Sequence, residues 1–249
     1  MKKRKIARVG VAIIMGGVVC VAAYFLFLGR NRPAPIPAKE TLYEDVTYQR
    51  VVRYFPNAMI AHIIKIDTKT KGIQFLITPA DSKSETPLNA RTTSQFLDEF
   101  GLQIAINGDG FTPWWSRGPA DYYPHAGDPV APLGFTASNG DDYWQGVELE
   151  QGERPTLYIS RRNAFSFNDK PNKVYNAISG DRMIVLQGQP VAGLDDSELN
   201  PRTAIGLNRN GRYVYLIVVD GRQPFYSAGI TFADLAQLLI DYDVYAAMS

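Results

Sequence analysis

The apolar positions change rhythm along the chain. Residues 9–29 carry no charge, and as a helix they would rise roughly 30 Å, the thickness of a hydrocarbon core. From residue 58 onward, apolar residues come in short runs broken by Gly, Pro, Asn and Asp, the rhythm of strands and turns. Residues 58–67 read as a strand, 67–72 as a turn, and 73–78 as the returning strand of a hairpin. Thr92 caps a first helix, with Gln95 completing a capping box. Phe96, Leu97 and Phe100 form its apolar face, and Gly101 ends it. Residues 102–106 then read as a buried strand. Strands are also expected at 132–137 and 156–159, and a strand pair at 177–180 and 183–186, with a turn at 187–190. The pattern is clearest near the end. Residues 203–207 make a strand, 208–211 (NRNG) a hairpin turn, and 213–219 (YVYLIVV) a central strand. Thr231 and Asp234 make a second capping box on a helix running to about Tyr242, and a further strand begins at 244. The pattern thus predicts a strand-rich domain with at least two helices.

Charge locates the N-terminal segment. Lys2, Lys3, Arg4, Lys5 and Arg8 precede the apolar stretch, and the first acid is Glu40. Basic residues stay on the cytoplasmic side, so residues 1–8 read as a cytoplasmic tail, 9–29 as a transmembrane signal-anchor, and the rest as extracytoplasmic. A cleaved signal peptide is the rival reading. Its apolar core is normally about 7–15 residues, shorter than the stretch here. Residues 30–40, with prolines at 33, 35 and 37, read as a stiff polyproline spacer, and 41–249 as one domain. Taking the five tail residues from 26 Lys and Arg leaves 21 against 25 Asp and Glu, a net charge of −4. A mildly acidic domain lacks the basic face that nucleic-acid binding requires, so no nucleic-acid partner is expected. The one cysteine, Cys20, lies inside the apolar stretch, which removes disulfides and thiol catalysis from the domain.

Three clusters place polar residues where strands end. In Asn107-Gly108-Asp109-Gly110-Phe111, two glycines flank a carboxylate, and Asn107 and Asp109 suit either a ligand or a tight turn. Arg202 and Thr203 follow Asn200-Pro201, and a guanidinium there suits phosphate or is a plain surface Arg. Asp220-Gly221-Arg222 ends the central strand, with Ser227, Gly229 and Thr231 at a helix start behind it. Asp220 suits proton transfer, or it is a structural partner of Arg222. His62 reads as a core histidine and His125 as a loop histidine. Neither is spaced as a metal ligand, and no dinucleotide or phosphate-loop fingerprint occurs, so no metal or cofactor is expected.

In this order the clusters resemble the phosphodiester glycosidase family. The family pattern runs from N-G-G-F-F through S-G, P-R-T-A-x-G and V-D-G-R to S-x-G-x-T before L-A-x-L-L, and then L-D-G-G-G-S. This chain has 107–111, Ser179-Gly180, 201–206, 219–222, and 227–231 before 235–239. It departs at Asp109 and Gly110, and it stops at Ser249, where the family continues with L-D-G-G-G-S, so the reading is of a C-terminally truncated domain. The resemblance implies an α+β fold with a mixed β-sheet core and a few helices. It also implies hydrolysis of a sugar-1-phosphodiester, of the GlcNAc-1-phosphate type, in an exported glycan or envelope polymer. Asp220 and Arg202 are the expected catalytic pair, converging on the anionic substrate. Asn107, Asp109, Thr203, Arg222, Ser227, Gly229 and Thr231 are the expected substrate contacts. A non-catalytic, membrane-tethered glycan-binding protein on the same scaffold is the alternative.

Overall fold

The computed structural model describes residues 14–24, 27, 35–118, 120–147, 154–224 and 226–249. The first helix, α1, is described over 14–24. The tail 1–8, much of the 9–29 stretch and the start of the spacer lie outside the described residues. Among the described residues no helix is long and apolar enough to cross a membrane.

Beyond α1 the chain opens with three antiparallel strands, β1 (Ala38–Tyr43), β2 (Val46–Arg53) and β3 (Met59–Asp67). β1 begins inside the stretch expected as a spacer. β3 is apolar on both faces and takes a neighbour on each side, β2 on one and the central strand on the other. The expected hairpin with 73–78 does not form. That segment enters no strand pairing, and side chains take four of its carbonyls. Ile73 O accepts from Asn163 (2.9 Å), Phe75 O from Asn176 (2.7 Å), Ile77 O from Ser138 (2.6 Å) and Thr78 O from Tyr143 (2.8 Å). These side chains hold the segment against a second sheet, away from β3.

Short elements follow: β4 (Leu88–Asn89), α2 (Thr93–Glu99), β5 (Phe111–Thr112), β6 (Trp115–Gly118), β7 (Asp121–Tyr123), β8 (Pro129–Pro132), β9 (Thr136–Ser138) and β10 (Asp141–Trp144). The Thr92 cap forms as expected, with the Gln95 N–H donating to Thr92 Oγ1 and the Thr92 N–H to Gln95 Oε1. Residues 102–106 form no strand pairing and are half-buried apart from the exposed Gln103, so they are not a core strand. The strand expected over 132–137 is split between β8 and β9. Next come β11 (Thr156–Ile159), β12 (Phe165–Phe167), β13 (Asn176–Ser179), β14 (Met183–Leu186), β15 (Gln189–Pro190), β16 (Arg202–Leu207), β17 (Tyr213–Val219), α3 (Phe232–Asp241) and β18 (Ala246–Met248). β13 and β14, expected as a pair, enter different sheets. β14 instead turns through Gln187 and Gly188, both at positive φ, into β15.

The main sheet has the order β1-β2-β3-β17-β16-β18-β14-β15, and a second sheet the order β10-β9-β13-β11-β12. Every strand pairing among the described residues is antiparallel, so the sheet is not mixed. The reason is local. β16 and β17 are joined by the NRNG hairpin, and α3 carries the chain back across β16, so β18 lands on the far side of β16 and runs against it. The result is a mostly-β domain in three layers. One face of the main sheet (Ala61, Ile63, Ala204, Ile217, Val219) packs on Leu235, Ala236 and Leu239 of α3. The other (Ile205, Leu207, Val214, Leu216, Met248) packs on Leu157, Ile159 and Ile178 of the second sheet. Side chains alternate between these faces, so register decides which functional groups meet.

Candidate functional site

β17 delivers Asp220 to its tip. The Asp220 N–H donates to Ile60 O (3.0 Å), extending the β3–β17 ladder by one residue. Ser227, fully buried, clamps the same point. Its hydroxyl donates to Asp220 O (2.5 Å) and accepts from the Ile60 N–H (3.2 Å). Val218 is paired with His62, so Asp220 projects on the face that carries His62. There His62 Nε2 lies 3.3 Å from Asp220 Oδ2, and His62 Nδ1 lies 2.7 Å from Tyr48 Oη. The His62 and Asp220 side chains are 30% and 25% exposed, so the pair is open to a ligand without being fully solvated. Thr203 is paired with Val218 and shares this face. Its hydroxyl donates to Asn107 Oδ1 (2.6 Å), joining two expected site residues 96 positions apart.

Arg202 goes the other way. It is paired with Val219, which belongs to the α3-facing core, so its side chain leaves the sheet on the face opposite Asp220. The guanidinium lies over the Phe232 ring of α3, 3.4 Å from the centroid. Its Nε donates to Ile230 O (3.0 Å) and a terminal nitrogen to Glu198 O (3.3 Å). Burial lowers its pKa from the ordinary arginine value. The expected convergence of Arg202 and Asp220 is therefore not found. One position of register separates them, and Arg202 fastens the entry to α3.

The remaining expected contacts divide between structure and surface. Asp109 is a structural knot. Its side chain is 5% exposed, and its carboxylate accepts from Arg154 (2.7 Å), the Gly110 N–H (2.7 Å) and the Gly134 N–H (2.6 Å). Burial raises its pKa, and the Arg154 charge is the largest influence opposing that rise. Gly134 approaches so closely that an added Cβ would lie 2.2 Å from Ser179 Cβ, which ties the knot to the second sheet. Gly229 has φ +113°, and a Cβ there would meet Asn200 O at 2.5 Å, so this position needs glycine for a backbone crossing. Thr231 caps α3 by accepting from the Asp234 N–H (3.0 Å). The second half of the expected box is missing, because the Asp234 carboxylate pairs with Arg53 (2.9 Å). Arg222 is exposed and donates to Asn200 Oδ1 (2.7 Å).

A cleft of about 890 Å³ runs from Asn107 and Thr203 between the layers, walled by Leu76, Ile104, Ile205 and Met248. Among the described residues no group of three or more His, Cys, Asp and Glu is placed to hold a metal ion. Sequence reasoning missed His62, Tyr48 and Arg154. His62 interrupts an apolar strand, but nothing local says which neighbour's tip it faces. Arg154 carries no motif at all.

The comparisons bear on the family and the fold. The family model described as phosphodiester glycosidase matches residues 100–249, more than half of the chain. No curated protein sequence matches it. Solved structures share its fold. A zebrafish N-acetylglucosamine-1-phosphodiester alpha-N-acetylglucosaminidase catalytic domain, auto-inhibited by its pro-peptide, is 16% identical with a TM-score of 0.55, over 88% of this chain and 71% of that one. A hypothetical protein from Synechocystis is 14% identical with a TM-score of 0.55, over 87% of this chain. This chain spans 58% of the length of the Synechocystis protein. A protein from Burkholderia pseudomallei is 12% identical with a TM-score of 0.52, over 77% of this chain and 67% of that one. With Asn107, Thr203, Asp220 and Arg222 all inside the matched stretch, the chain belongs to the phosphodiester glycosidase family.

Proposed function

We propose that this protein hydrolyses a sugar-1-phosphodiester of the GlcNAc-1-phosphate type, carried on a glycan or envelope polymer, with Asp220 as the carboxylate at the reacting centre. The observation that carries the reading is the Asp220 tip. One carboxylate oxygen faces His62, and the other has no hydrogen-bond partner among the described residues. That free oxygen accepts a proton from the water that attacks C1 of the sugar. The C1–O bond breaks, and its electron pair leaves with the phosphomonoester. Phosphate is a good leaving group, so less acid assistance is needed than for an ordinary glycoside. Arg222, exposed two residues after Asp220, is the cation we assign to the phosphate in place of Arg202. Asn107 and Thr203 offer hydrogen bonds to sugar hydroxyls from the same face.

The test is turnover of methyl GlcNAc-1-phosphate by the wild type and by Asp220→Asn. A positioned general base typically contributes 10²–10⁴-fold, and roughly that loss is expected with the fold intact by circular dichroism. Equal turnover by the two proteins would remove Asp220 from the mechanism. Saturable binding of the diester without hydrolysis by the wild type would favour the glycan-binding alternative.

A further inference from the structure

Three residues outside the family match, Arg50, Tyr48 and His62, form a hydrogen-bonded line that ends on Asp220. Arg50 Nε donates to Tyr48 Oη (3.3 Å), Tyr48 Oη meets His62 Nδ1 (2.7 Å), and His62 Nε2 meets Asp220 Oδ2 (3.3 Å). The register explains the alignment. His62 pairs with Arg50 on one side and Val218 on the other, and Tyr48 stands two residues from Arg50 on the same face. The Tyr48 and His62 rings are stacked, with centroids 5.9 Å apart and planes 20° from parallel, so the imidazole is held on one side.

The donor inventory orients every proton in the line. A guanidinium can only donate, so the Tyr48 oxygen accepts from Arg50 and its own O–H is left to donate. Its nearest acceptor is His62 Nδ1, which accepts only when bare. Neutral His62 then carries its proton on Nε2, aimed at the carboxylate. The opposite tautomer would set a lone pair against Asp220 and leave two protons competing between Tyr48 and Nδ1. The charged groups facing the ring are Asp220 at the end of β17 and Arg50 on β2. The Tyr48 hydrogen bond and charge raise the Arg50 pKa.

We infer that His62 is a positioning residue. Its Nε2–H holds one oxygen of Asp220 so that the other faces the reacting centre, and Tyr48 with Arg50 sets the tautomer that makes this possible. The inference rests on the Asp220 reading above and adds to it the part of the site that lies outside the matched stretch.

The experiment measures kcat and KM for the wild type, His62→Leu, His62→Gln and Tyr48→Phe on methyl GlcNAc-1-phosphate. It is read beside the ¹⁵N resonances of the His62 ring in the full chain. Loss of one hydrogen bond to a charged group should lower kcat in His62→Leu roughly 10- to 100-fold with KM little changed. His62→Gln, whose amide N–H replaces Nε2–H, should recover most of that loss. Tyr48→Phe frees the neutral ring to put its proton on Nδ1. Its kcat should fall roughly tenfold with KM little changed. A purely structural Tyr48 would lower thermal stability and leave the ring tautomer unchanged. Equal kcat for Tyr48→Phe and wild type, or full activity in His62→Leu, would overturn the inference. The NMR arm stands apart from turnover. The neutral ring should show a protonated Nε2 and a bare Nδ1, and the reverse assignment defeats the proposal even in an active enzyme. If the wild type cleaves no sugar-1-phosphodiester, the functional reading fails while the ring assignment is still decided.

Discussion

Arg154→Met isolates the knot that holds the Asn107 loop. The substitution keeps an apolar stem in place and removes the guanidinium that sits 2.7 Å from Asp109. The wild-type pair is nearly dry, with the Arg154 side chain 14% and the Asp109 side chain 5% exposed. Breaking such a pair from one side usually costs about 3–5 kcal/mol, because the remaining charge is stranded. Two features place this case at the low end. Asp109 keeps the Gly110 and Gly134 N–H donors, and Arg154 Nε is buried with no partner among the described residues, a penalty that the substitution removes. About 3 kcal/mol is therefore expected at neutral pH, or roughly 6–12 °C in Tm for a domain of this size.

The pH dependence provides a sharper check. Burial already raises the Asp109 pKa in the folded state, so the folded chain binds the proton more tightly than the unfolded chain. The group's contribution is then most favourable in acid and is lost as pH rises through the raised folded value. Removing Arg154 takes away the largest influence opposing that rise and carries the window higher. The difference between variant and wild type should accordingly be small near about pH 4 and reach its full size near about pH 7. Urea denaturation at both pH values measures it, and Asp109→Asn in the Arg154→Met background should recover most of the loss. A loss under about 1 kcal/mol at neutral pH, or one independent of pH and unrelieved by Asp109→Asn, would refute the stranded-charge argument.

Two further outcomes follow from the register and the cleft. Arg202→Lys should cost about 1–2 kcal/mol by loosening its hold on Ile230 O, Glu198 O and the Phe232 ring, and should leave KM for a phosphodiester within about twofold, as thermal denaturation beside steady-state kinetics would report. A large rise in KM would restore Arg202 to the substrate. Among the described residues the amides of Ile104, Ala105 and Ile106 make no backbone hydrogen bond, so in hydrogen exchange they should open orders of magnitude faster than those of β17, and comparable protection would mean the segment is paired.

What the sequence disclosed and what it withheld divide along one physical line. Signals whose energetics are local came through. The Thr92 box, the NRNG turn, the apolar run of β17 and the arrival of Asp220 at a strand tip all depend on neighbours within a few residues. Failures arose wherever a distant group decided the outcome. Residues 73–78 are patterned as a strand, yet Asn163, Asn176, Ser138 and Tyr143 take their carbonyls, and none of these donors is visible from the segment itself. The second sheet captured β13 away from β14 in the same way. Arg202 is the most instructive case. Its residue type suited an anion, and its neighbour Thr203 does lie on the Asp220 face. In a strand, one position is the whole difference between facing a ligand and facing the core. Only the Arg202↔Val219 pairing settles which. His62 is the converse. A histidine inside Met59–Asp67 reads as packing until β2 and β17 set Tyr48 on one of its ring nitrogens and Asp220 on the other. A side chain's chemistry can be proposed from its type, but its direction belongs to the pairing of strands far apart in the chain. Of the two groups expected to converge, the carboxylate stands at a strand tip, and the side chain that meets it there is an imidazole.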